Sequence, residues 1–367
     1  MGDELRELLT DAIAAGEAQS AAWLVARREA ILAQGAVGGA QPDAIYDLAS
    51  LTKPLVTALL CVYFIERDWL TDSSALGELL PELQGCVYGA ATVREALTHT
   101  AGFPAWLPLY ALCDHPNEAL SAIGRACPGA YRGGARDVVY SDLGYIALGK
   151  ALERIGGRPL DTLFDELVAQ PLGLRATRFH PPAAWRDRIA PTERGNDHER
   201  AMTRRLVANG DGRFSSSEQA RLSRYDGYRR TLIQGEAHDG NAHFLGGVAG
   251  HAGLFSTAEE VWRLAREFLP RGRLLKPASL EYFTRNFTPG SNESRSFGWM
   301  LAPTPGATGD GLSPLAFGHT GFTGTSIWCD PVTESVYVLL TNRTFPIRTS
   351  LQDVRRAFHA RAAQLTR

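Results

Sequence analysis

Ser50-Leu51-Thr52-Lys53 leads into the longest apolar run of the chain, Leu55 to Ile65, and the rest of the sequence is read outward from it. At the start of a helix, a serine three residues ahead of a lysine places a hydroxyl and an amine one turn apart on one face. Ser50 is therefore a candidate nucleophile. Serine is weakly nucleophilic at neutral pH and needs a base, yet a free lysine amine near pKa 10.4 is protonated. The positive end of the helix dipole and burial in a cleft would both disfavour the charged form of Lys53. Bringing it near neutrality takes about 4 kcal/mol, within reach only of a well-buried group. Otherwise Lys53 stays charged and lowers the pKa of another group. The competing reading makes Ser50 a helix cap and Lys53 a solvated residue. Pro54 fits a helix start close by and argues for an irregular first turn.

Residues 3 to 18 carry Leu5, Leu8, Leu9, Ile13 and Ala14 at helical spacing, and two strand-like segments follow, Ala21 to Arg27 and Ala30 to Val37. From Ser50 to about Leu172 the pattern is mostly helical: Leu51 to Asp68, Thr92 to His99, Asn117 to Arg125, Leu143 to Ile155 and Leu160 to Val168. The polar stretch from Trp185 to Asp239 reads as a solvated loop, with a mobile lid as the sharper alternative. Helices at Thr257 to Phe268 and Ala278 to Arg285 lead to strands at Phe297 to Ala302, Ser326 to Asp330 and Ser335 to Thr341. A helix from Leu351 to Leu365 closes the chain. Helix plus hairpin at one end and strands plus helix at the other predict an α+β fold: a discontinuous antiparallel sheet flanked by the terminal helices, with an inserted mostly helical domain. The sheet domain is placed at 1–48 and 255–367 and the helical one at 49–254, with a site in the cleft between them.

With 367 residues and a formal net charge of -2, the chain can bury a large core and shows no concentrated basic character. Small-molecule chemistry is favoured over nucleic acid, and no segment is long enough to span a bilayer. Cys61, Cys86, Cys113, Cys127 and Cys329 are odd in number and scattered, which predicts free thiols in a reducing compartment. With no signal peptide visible, the expected location is cytoplasmic, or secreted or periplasmic if a leader has been trimmed from the sequence.

Two further constellations carry chemistry. Tyr140-Ser141-Asp142 sits where strand-like Val138-Val139 meets a helix. A tyrosine there can point into a cleft and act as a base if a cation stabilises its phenolate; alternatively it is a core aromatic and Asp142 the helix cap. Phe317-Gly318-His319-Thr320-Gly321-Phe322-Thr323-Gly324 precedes a strand. Its glycines would let backbone approach a ligand, or simply form a hairpin turn.

In this order and spacing the three segments resemble the serine β-lactamase-like and penicillin-binding family: class C β-lactamases, DD-peptidases and related carboxylesterases. Asp47 to Lys53, Leu97 to Gly102 and Gly247 to Ser256 are similar too, so the resemblance runs from about Ile45 to Asn342. It implies a sheet domain beside a helical domain and catalysis through an acyl-enzyme. Ser50 would be acylated, Lys53 and Tyr140 would share proton transfer, and the backbone N–H groups of Ser50 and Phe322 would form the oxyanion hole. Asp142, His319, Thr320 and Gly321 would face the substrate. No cofactor and no metal are implied.

Two positions depart from the family pattern. Asp142 stands where Asn is common, and a carboxylate facing Lys53 would keep it charged and make Tyr140 the base. His319 stands where the lactamases usually carry lysine, and a mostly neutral imidazole anchors a carboxylate weakly. Weak β-lactamase activity and a better fit to uncharged esters or amides are therefore expected. The alternative from another class is a penicillin-binding or sensing protein that keeps the fold without turnover.

Some patterns mislead. Gly144 to Lys150 imitates a phosphate loop, but Ala151 replaces the magnesium-binding hydroxyl and the segment reads as helix. His238, His243 and His251 lack metalloprotease spacing and read as loop histidines.

Overall fold

The computed structural model describes residues 2–126, 137–210 and 212–367. Six antiparallel strands form one sheet in the order Ala30–Val37, Ala21–Arg27, Ser335–Thr341, Ser326–Asp330, Phe317–Thr320 and Met300–Leu301. Ala21 pairs with Thr341 and Arg27 with Ser335, so the two ends of the chain meet inside the sheet. Side-chain alternation then sorts the first strand onto two faces. Trp23 and Val25 pack with Trp328, Tyr337 and Leu339 beneath the helices Gly2–Ala14 and Gln352–Gln364. Ala22, Leu24 and Ala26 face the other way, into a core continuous with Leu55, Leu59 and Leu148 of the helical region. Burial on both faces explains why these strands read as near-continuous apolar runs.

The helix expected from Leu51 to Asp68 is composite. A 3-10 turn at Ala49–Leu51 passes into a wide π-helical segment, Lys53–Ala58, before α-helix Leu59–Ile65. Pro54 supplies no N–H, and the widened turn is how this buried helix accommodates it. Asp142–Gly156 is helical as expected, which disposes of the phosphate-loop imitation within it. The helix packs closely on Gly250: a Cβ there would fall 2.1 Å from Tyr145 O.

Three expectations differ from the structure. Residues 185–239 are not a loop: they hold helices Asp197–Asn209 and Ser216–Arg224, the second started by a capping box between Ser215 and Glu218. Both bury only a narrow strip, with Thr203 and Leu222 among the inward residues, so their apolar periodicity is faint. The strand expected at Phe297 to Ala302 pairs only at Met300 and Leu301, because Phe297 N–H goes to Tyr282 O and Gly298 N–H to Leu97 O. The helix near Ala278 to Arg285 is a 3-10 turn, Pro277–Leu280, followed by one turn of α-helix, Glu281–Thr284. Cys61, Cys86, Cys113 and Cys329 are free thiols, and Cys127 lies outside the described residues.

Candidate active site

Ser50 is set by its flanks. Asp47 accepts Ala49 N–H at 2.8 Å and His238 N–H at 2.7 Å, tying the serine turn to the segment after the two polar helices. Thr323 and Thr325 donate to the carbonyls of Asp47 and Leu48, fastening the same turn to the strand hairpin. Ala49, just before the serine, holds a left-handed φ of 47°, a strained conformation for a residue with a Cβ. Strain of this kind survives only where surrounding bonds over-determine the backbone.

Lys53 is fully buried. Its ammonium donates to Ser50 Oγ at 3.0 Å, Asp142 Oδ1 at 2.6 Å and His251 O at 3.2 Å, and lies 4.8 Å from the centre of the Tyr140 ring. Burial works against its charge. The Asp142 carboxylate and the Tyr140 phenol outweigh burial and hold its pKa above the ordinary lysine value. Lys53 and Ser50 both lie close enough to the Tyr140 hydroxyl to favour its ionised form. Burial raises its pKa, Lys53 opposes the rise and Asp142 adds to it. At rest the site therefore holds a charged lysine, a protonated phenol and the carboxylate that balances the lysine.

Tyr140 is aimed by its neighbours. His99, itself left-handed at φ 60°, accepts Ser141 N–H on Nδ1 at 3.0 Å and gives its carbonyl to Val139 N–H. The helix cap is Ser141, whose Oγ accepts from Leu143 and Gly144 N–H, so Asp142 is free to face Lys53.

The strand Phe317–Thr320 closes the far wall. Met300 pairs only as far as Gly318, which leaves the edge at His319 and Thr320 open toward the cleft. The neighbouring glycines answer to packing rather than to a ligand: a Cβ at Gly318 would lie 2.4 Å from the Trp328 side chain, and one at Gly321 2.5 Å from Leu48 O. His319 is buried with its ring 5.8 Å from that of Tyr140, and Nδ1 donates to Thr320 O. Burial, with Arg295 and Lys53 nearby, pushes its pKa far below the usual histidine value, so the imidazole is neutral.

Ser50, Tyr140, His319, Thr320, Gly321 and Phe322 line one cleft of about 340 Å³. Arg343 and Arg355 line it too, and the sequence reading did not single them out. Arg343 Nε donates to Phe322 O, while Arg355 donates to the carbonyls of Gly321, Gly324 and Thr325. Neither has a carboxylate partner among the described residues. His238 and His251 pair with Glu193 and Asp239 behind this wall, and His243 is exposed.

An antiparallel sheet flanked by helices, with a serine–lysine pair and a tyrosine converging on one cleft, is the arrangement that the β-lactamase and penicillin-binding pattern calls for. The chain belongs to the Beta-lactamase family, which it matches over residues 5–362. It is 29% identical, over 82% of its own length and 69% of the relative's, to an Escherichia coli K12 protein named, provisionally, a D-alanyl-D-alanine carboxypeptidase. Among solved structures it is similar to EstCE1, a hydrolase with promiscuous acyltransferase activity, with TM-score 0.71, 20% identity and 98% of each chain covered. It is also similar to the octameric penicillin-binding protein homologue from Pyrococcus abyssi, with TM-score 0.72, 16% identity, and 99% of this chain and 77% of the other covered.

Proposed function

We propose that the protein is a serine hydrolase that acts on small esters or amides through an acyl-enzyme on Ser50. The observation that carries this is the contact of Lys53 Nζ with Ser50 Oγ beside the Tyr140 phenol. A charged Lys53 donates to the serine and cannot take its proton. Tyr140 is the base once the pair has lost one proton, its phenolate stabilised by the ammonium beside it. Ser50 Oγ then attacks the acyl carbon and its proton passes to Tyr140. The backbone N–H groups of Ser50 and Phe322 receive the oxyanion, and the Tyr140 phenol returns the proton to the leaving group.

A neutral His319 supports the expectation that the imidazole does not anchor a carboxylate. Arg343 and Arg355 put positive charge into the same cleft from another direction, which favours substrates carrying an acid group away from the scissile bond. The likeness to a protein named as a carboxypeptidase of D-alanyl peptides agrees with that charge.

Intact-mass measurement after adding a fluorophosphonate, a penicillin or an activated ester tests the reading. A fluorophosphonate adduct on the wild type and none on Ser50→Ala, with a transient adduct from the ester, is the expected result. A lasting ester adduct would mark a sensor, and no adduct a non-catalytic protein.

A further inference from the structure

A second hollow of about 110 Å³ lies apart from the cleft and shares no lining residue with it. Tyr110, Tyr225 and Tyr228 wall it, with ring centres 5.5, 5.9 and 5.0 Å apart and planes tilted by 45° to 84°. Glu199 closes the inner end. Its Oε1 accepts Gly240 N–H at 2.8 Å, while Oε2 is buried with the Tyr110 hydroxyl near it but no well-formed hydrogen bond. Gly240 leaves that oxygen its space, since a Cβ there would fall 2.1 Å from it. The Nδ2 of buried Asn196, on the same lining, has no acceptor.

A buried carboxylate oxygen without a well-formed hydrogen bond is costly, and ring faces set at angles to one another attract cations. We infer that the hollow bounded by Tyr110, Tyr225, Tyr228 and Glu199 binds a small organic ammonium ion, with a hydroxyl or carbonyl on the ligand to take the Asn196 amide. The ammonium donates to Glu199 Oε2 and rests against the tyrosine faces. Arg229, the cation on the lining, is already committed: Nε donates to Asn196 Oδ1 and its terminal nitrogens to the carbonyls of Ala237 and His238. The volume accommodates several waters' worth of ligand, which fits an aminoalcohol and excludes a peptide.

Ethanolammonium chloride is the probe, titrated into the full chain by calorimetry and ligand-observed NMR against sodium chloride of equal ionic strength. Burial and Asp239 push the Glu199 carboxyl up to about 7, so the titration is run at about pH 8, where the carboxylate is formed. Saturable binding is expected, weakened roughly tenfold or more in Glu199→Gln. Tyr228→Leu, at a half-buried ring, should weaken it several-fold and serves if the Glu199 variant fails to fold. No saturable binding beyond the sodium chloride control, or equal affinity in wild type and both variants, overturns the inference.

Discussion

Lys53 Nζ stands closer to Asp142 Oδ1, at 2.6 Å, than to Ser50 Oγ, at 3.0 Å. The carboxylate therefore has the stronger hold on the ammonium, and its charge raises the pKa of both Lys53 and Tyr140. In the proposed reaction the base, Tyr140, is thus stored in its protonated form, and activity should climb toward alkaline pH as the pair sheds a proton. Asp142→Asn removes the charge that opposes this loss. Its kcat/KM profile should rise at lower pH than the wild type's, read with a p-nitrophenyl ester. An unmoved ascending limb would show that Asp142 does not govern the pair.

Lys53→Met and Tyr140→Phe should each lower kcat by about a thousandfold or more, and the double variant little further, because groups that act as one unit are not additive. Steady-state rates with one activated ester suffice. Multiplicative losses in the double variant would mean that the two residues serve separate steps.

The arginine pair makes a separate prediction. Arg343→Gln should raise KM for nitrocefin or a D-alanyl-D-alanine peptide by about tenfold, the worth of one charge-assisted contact. An uncharged acetyl ester should respond much less. Equal losses on both substrate types would assign Arg343 to holding the Phe322 turn alone.

The serine–lysine pair was legible because the two residues stand three apart on adjoining helical turns, where local spacing sets most of the geometry. Tyr140 and His319 were legible only as separate segments that a family pattern joined. Arg343 and Arg355 were not: they follow the last strand, and only the sheet brings them beside Phe322. The helices at Asp197–Asn209 and Ser216–Arg224 escaped because polar residues cover most of each surface. The Ser215–Glu218 capping box was the signal that could have found the second.

His359 is buried, with Nε2 on Ser326 Oγ, and burial lowers its pKa to about 3. A histidine held neutral in the folded state supports stability above its unfolded pKa of about 6.5, and that support is lost as pH falls toward the folded value. Between pH 7 and 5 the wild type should lose about 2 kcal/mol more than His359→Gln, measured by urea unfolding. Parallel pH curves for the two proteins would sink the prediction.

Gly250→Ala should cost about 3 kcal/mol or more, because its Cβ would meet Tyr145 O and the backbone at Gly149. Gly250 O also accepts from Thr57, and His251 O from Lys53, so the active lysine should shift with the displaced segment. The expected signature is a lower melting temperature together with a lower kcat. Unchanged melting would show that the contact relaxes freely.

The pairing of Ala21–Arg27 with Ser335–Thr341 bears on the timing of biosynthesis. An interior member of the sheet is made long after Ser50, so the nascent polypeptide carries the serine through much of its elongation before the central sheet can close. On the proposed reading, hydrolytic competence should appear only once Ser335–Thr341 has joined the sheet, as one event rather than by degrees.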